Sequence, residues 1–80
     1  MATYDETLAV TIELLKRHVD PAKSVEPGNH IQNDLGLDSL GVMEFVADVE
    51  ERYDVNIPNE ELANLATVSD VAKALTRLAR

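Results

Sequence analysis

No cysteine occurs in the 80 residues, which excludes a disulfide framework and a thiolate metal site and leaves the fold to rest on packing alone. With no cysteine and only two histidines, a zinc site also lacks ligands. Long hydrophobic runs are missing as well. Nothing approaches the roughly 20 apolar residues that a membrane span needs, and Met1 to Val10 carries two acids and no base. Neither a signal peptide nor a membrane anchor is therefore expected, and the composition suits a reducing cytoplasm. There is no internal repeat and no low-complexity tract. What remains is a short chain with 45% apolar residues. It is expected to form a single domain over residues 1–80, with one core and no room for a deep catalytic cleft.

Basic residues are scarce where acidic ones are dense. Between Asp34 and Glu61 stand nine acids and one base, Arg52, so this stretch nets −8, the formal charge of the whole chain. Six acids elsewhere are balanced by six bases. A negative field focused in this way repels nucleic acid and anionic membrane. It attracts proteins with basic patches, chiefly by speeding and orienting encounter. A solvated acidic face kept for solubility has the same composition.

Thr3-Tyr4-Asp5-Glu6 has capping-box spacing, and Leu8, Ile12 and Leu15 recur at helical intervals, which predicts a first helix from about Tyr4 to His18. Pro21, Pro27, Gly28 and Gly36 then punctuate a long loop, which Val25, Ile31, Leu35 and Leu37 can anchor. Asp38 is a good N-cap for a second helix over Ser39 to Tyr53. At 100° per residue, Val42, Phe45, Val46, Val49 and Tyr53 share its inward stripe, while Leu40, Glu44, Ala47 and Glu51 face water. Pro58 suits the start of a short helix over Asn59 to Asn64. Thr67 or Ser69 can cap a last helix carrying Val71, Leu75 and Leu78. The expected fold is all-α, a four-helix bundle of three longer helices and one short one.

The run Asp34-Leu35-Gly36-Leu37-Asp38-Ser39-Leu40 ends in Asp-Ser at a predicted helix N-terminus. Unpaired first-turn N–H groups and the positive end of the helix favour an anion there, so a phosphoester on Ser39 is physically at home. The Asp38 carboxylate can cap the helix or help hold a divalent cation beside a donor phosphate. Taken alone, the dipeptide signifies no more than a helix start, since Ser and Asp are common caps.

The whole run, however, resembles the attachment signature of acyl carrier proteins. The likeness extends to Glu44, Glu50 and Glu51 on the second helix, to Tyr53-Asp54-Val55-Asn56-Ile57-Pro58, and to Thr67-Val68 at the start of the last helix. The resemblance implies that Ser39 receives a 4′-phosphopantetheine arm from coenzyme A, with Asp38 beside it, and that the arm holds acyl groups as thioesters. It implies a non-catalytic carrier used in fatty-acid or polyketide assembly. Its expected partners are a phosphopantetheinyl transferase, acyltransferases and other acyl-loading enzymes, and ketosynthases with basic docking patches. The expected docking residues are Asp34, Leu40, Met43, Glu44, Asp48, Glu50, Glu51, Asp54 and Glu60. Met43 serves equally well as core filler. Phe45, Val46, Ile57, Leu62 and Val71 are apolar residues that either line a space for the acyl chain or simply fill the core. A cytoplasmic monomer is expected, with no nucleic-acid partner and no metal. Two departures from the family pattern stand out: Gly41 inside the second helix, rationalised by close approach of a partner or of the arm, and Asn59 where many members have an acid.

Other chemistries fit less well. A serine hydrolase would need Gly-x-Ser-x-Gly after a strand, and Leu37-Asp38-Ser39-Leu40-Gly41 lacks the first glycine. A calcium loop beginning at Asn33 would put Leu35 and Leu37 at ligand positions. His18 reads as a helix-terminal charge partner and His30 as a loop residue. The remaining rivals are a carrier of aminoacyl or peptidyl groups and an unmodified acidic adaptor.

Overall fold

The computed structural model describes residues 2–79. Four helices follow in order, α1 (Tyr4–Leu15), α2 (Ser39–Tyr53), α3 (Asn59–Leu62) and α4 (Val68–Leu78), and no strand forms among the described residues. The all-α bundle of three longer helices and one short one is thus the observed architecture.

The local chemistry of each helix start explains its position. Thr3 Oγ1 accepts the Glu6 N–H at 3.2 Å and the Glu6 carboxylate accepts the Thr3 N–H at 3.4 Å, so the capping box of α1 forms. The same reciprocal arrangement joins Thr67 and Asp70 at α4, which makes Thr67, not Ser69, the cap. At the far end of α2, Asp54 turns into the left-handed region (φ 54°) and stops the helix.

Three expectations need correction. Helix α3 ends at Leu62, two residues before Asn64, and the chain goes on in tighter turns with Asn64 N–H donating to Glu61 O. Helix α1 ends at Leu15, three residues before His18, and the chain continues in tighter turns with Arg17 N–H donating to Leu14 O and His18 N–H to Leu15 O. The early stop lets Val19 enter the core and frees His18 to reach α2. The buried side of α1 is also rotated. Thr7, Thr11, Leu14 and Leu15 are fully enclosed, whereas Leu8 and Ile12 are only half-buried against the core. The threonines are admissible inside because their hydroxyls are satisfied. Thr11 Oγ1 donates to Thr7 O at 2.7 Å, and Thr7 Oγ1 lies 2.9 Å from Ala72 O and 3.0 Å from Thr76 Oγ1 on α4. Helix α1 packs mainly on α4 and secondarily on α2.

The long connection over 16–38 is tied down as expected: Val25, Ile31, Leu35 and Leu37 are all buried. It is also stitched to the start of α4. Ile31 N–H donates to Ala66 O, Val68 N–H to Asn29 O and Ser69 N–H to Pro27 O. A loop held by both burial and backbone bonds is a fixed platform for the helix that follows it.

Candidate attachment site and docking face

Ser39 is exposed and is the first residue of α2. Three features place it. Gly36, with φ +79°, makes the left-handed turn that aims the chain toward the helix. Buried Leu37 anchors the next residue. Asp38, in extended conformation, then caps α2, its Oδ1 accepting the Gly41 N–H at 2.7 Å and its carbonyl accepting the Val42 N–H at 2.9 Å. The N–H groups of Ser39 and Leu40 have no partner among the described residues. An exposed hydroxyl, two open amides and the positive end of a helix of 15 residues together fit a serine phosphodiester.

Gly41 gains a local explanation. A Cβ there would lie 3.2 Å from Asp38 Oδ1 and 3.5 Å from Leu37 Cγ, so the glycine leaves room for the capping carboxylate itself. The close approach is intramolecular.

Around this point lie the large exposed apolar side chains of the described surface, Leu40 at 64% and Met43 at 69% exposure. Met43 therefore faces solvent, which removes the core-filler alternative. Glu44, Glu51, Asp54 and Glu60 are exposed too. The other acids are engaged within the molecule. Asp34 accepts the His30 N–H at 2.6 Å and its carbonyl accepts Lys23 Nζ at 3.2 Å, which braces the loop. Asp48 Oδ2 meets His18 Nε2 at 2.8 Å, fastening the end of the α1 turn to α2. Glu50 Oε2 accepts the Ile57 N–H at 2.8 Å and so holds the α2–α3 turn. Sequence spacing placed Asp48 and Glu50 on a helix flank, but could not show partners 30 and 7 residues away.

An apolar groove of about 520 Å³ opens beside α2. Phe45, Val46, Ile57, Leu62 and Val71 all line it. Phe45, Val71 and Ile57 are buried and form its inner wall, so these residues serve core and groove at once. Ile31 and Leu65, which periodicity did not single out, join Val42, Met43 and Ala47 in the rest of the apolar lining, while Glu50 and Asn59 are its polar members. Among the described residues, no cluster of three or more acidic or histidine side chains is placed to hold a metal ion, and no helix is long and apolar enough to cross a membrane.

Comparison with known proteins agrees with this geometry. The family model described as "Phosphopantetheine attachment site" matches residues 7–75, from the first turn of α1 to the last turn of α4. An acyl carrier protein of Wolinella succinogenes is 40% identical over 73 residues, covering 91% of this chain and 92% of its own. One from Campylobacter curvus is 38% identical over 80 residues and the full length of both.

The chain belongs to the acyl carrier protein family.

A meromycolate extension acyl carrier protein of Mycolicibacterium smegmatis is also similar, at 35% identity over 79 residues, 96% of this chain and 79% of the relative. Membership in this family implies a covalently attached 4′-phosphopantetheine, and the exposed serine with its open first-turn amides fits that group.

Proposed function

We propose that Ser39 is the residue that carries 4′-phosphopantetheine, and that the chain presents acyl intermediates to fatty-acid or polyketide biosynthetic enzymes. The observation that carries this reading is the exposed Ser39 at the start of α2, behind a fixed cap and beside two open amides. When attached, the arm supplies a terminal thiol that holds an acyl group as an activated thioester.

The protein's own residues bind, orient and present. The Ser39 hydroxyl supplies the oxygen of the ester, and the N–H groups of Ser39 and Leu40 face the anion that results. Asp38 orients the helix start through Oδ1, while Oδ2 has no partner among the described residues and is available to a divalent cation in the modifying complex. Leu40 and Met43 supply apolar contact to a docked enzyme. Glu44 and Glu51, with Asp54 and Glu60 beyond the end of α2, steer basic patches toward it. The groove beside α2 receives apolar cargo. Catalysis is left to the partners, and His18 is engaged by Asp48. A cytoplasmic monomer suits this role, because each partner must find the same helix face free.

The test is direct. The apo-protein is incubated with coenzyme A, magnesium and a broad-specificity phosphopantetheinyl transferase, and intact masses are taken for wild type and Ser39→Ala. One phosphopantetheine gained by wild type alone is expected. A gain on Ser39→Ala would move the site elsewhere, and no gain with several transferases would favour the adaptor reading.

A further inference from the structure

The wall of the groove formed by 58–65 differs from the rest of the molecule. Helix α3 has four residues, none of them buried, and no side-chain cap. Its packing on the other helices is slight. Both ends of the segment are nevertheless fixed. On one side Ile57 is buried and its N–H is held by Glu50. On the other, Ala66 donates its N–H to the Asp70 carboxylate and accepts the Ile31 N–H at its carbonyl. Between these anchors, Asn59, Leu62 and Leu65 lie against the groove. A short span between two fixed edges, over an apolar hollow, has the build of a lid.

Among the described residues, a charged tie crosses from this span to α4. Arg77 Nη1 donates to Glu61 Oε1 at 2.7 Å and Nη2 donates to Oε2 at 3.1 Å, a two-pronged guanidinium–carboxylate pair. Glu61 is the more sheltered partner, at 21% side-chain exposure against 57% for Arg77. The hydrogen bonds from Arg77 also hold the Glu61 carboxyl below its ordinary range. We propose that the Arg77–Glu61 pair is a latch that keeps α3 closed over the groove, so that Arg77 is a positioning residue controlling access of apolar cargo. The inference concerns the groove itself and stands whether or not Ser39 is the attachment point.

The absence of cysteine allows a clean test. Val71→Cys places a single thiol on the buried inner wall of the groove, and its reaction with the uncharged reagent 4,4′-dithiodipyridine reports how often the lid opens. Adding Arg77→Gln is expected to speed labelling about two- to fivefold, the range of a surface ion pair. Glu61→Gln should also speed labelling, the double variant should add nothing beyond Arg77→Gln, and Arg77→Lys should fall between wild type and Arg77→Gln. Molar salt should speed labelling of the latched protein and leave the Arg77→Gln protein unchanged. Amide exchange separates lid opening from loss of the fold: Leu62 and Ala63 should lose protection while Leu75 keeps its own. Equal labelling rates with and without Arg77→Gln would overturn the latch. So would a faster rate accompanied by equal loss of protection at Leu75. Repeating the series on Ser39→Ala should give the same result, which keeps this test separate from that of the attachment site.

Discussion

Asp38 caps α2 in the structure and is proposed to help hold a cation in the modifying complex, and substitution can pull the two apart. Its Oδ1 holds the Gly41 N–H at 2.7 Å, a charge-assisted cap at the head of the helix that bears Ser39. Asp38→Ala removes the acceptor and the charge together. Loss of an exposed cap of this kind costs about 1 kcal/mol, within a range of roughly 0.5 to 2. For a domain of this size, about 1 kcal/mol lowers the melting temperature by roughly 4–8 °C. Asp38→Asn keeps an acceptor in nearly the same place and loses only the charge, so its melting temperature should lie within about 2 °C of wild type. Transfer of phosphopantetheine should rank the two variants differently. If the carboxylate helps hold the cation in the modifying complex, Asp38→Asn slows transfer by about tenfold or more, equivalent to ~1.4 kcal/mol in the barrier, despite an intact cap. Thermal unfolding followed by circular dichroism and initial rates of mass gain measure both quantities. An unchanged melting temperature for Asp38→Ala would show that the cap contributes nothing. A wild-type transfer rate for Asp38→Asn would reduce Asp38 to a cap alone.

Thr7→Val keeps shape and removes the hydroxyl that joins α1 to Ala72 and Thr76 of α4; a loss of about 1–2 kcal/mol in urea unfolding is expected. Asp70 is held below the ordinary carboxylate range, chiefly by the backbone N–H of Thr67 and against the opposing effect of desolvation. Its contribution is therefore complete above the unfolded carboxylate pKa and is lost as pH falls through the lower folded value. Asp70→Ala should cost about 1 kcal/mol at neutral pH and flatten the acid limb of the stability curve, which a pH series of melts would reveal. Met43→Ala should raise the off-rate of a docked partner by about fivefold or more, with little change in on-rate. Glu44→Lys should lower the on-rate at low salt and have little effect at high salt; surface-capture kinetics separate the two.

The start and end of α2 were legible in the sequence because local chemistry sets both. Asp38 supplies a cap, and the apolar stripe from Val42 to Tyr53 keeps one period throughout. The end of α1 was not legible, since it answers to distant demands: Val19 must be buried, and His18 must reach Asp48. Nor could apolar periodicity find the inward side of α1. Thr7 and Thr11 are buried on the strength of hydrogen bonds, and a pattern of hydrophobicity does not register a polar side chain whose partner lies on another helix or one turn back. The place of Ser39 at the head of α2 was legible through the Asp38 cap before it. The groove was half legible, because its apolar residues were visible while the Ile31 contribution depends on how the loop folds back.

The acids of α2 divide according to what the fold already asks of them. Asp38 caps the helix, Asp48 fastens the α1 turn, and Glu50 holds the entry to α3. Arg52, the one base of the acidic stretch, is drawn away to Glu13 at 3.2 Å. Glu44 and Glu51 have no such duty and face water. Of these, Glu44 lies next to exposed Met43 and four residues from Leu40, one helical turn along the same face. Glu44 is thus the acid of α2 that is both uncommitted to structure and beside the exposed apolar pair nearest Ser39. Neutralising Asp48 or Glu50 should then perturb docking through the fold, with a matching change in stability. Neutralising Glu44 should weaken docking without one, and equal stability losses for all three would refute this division.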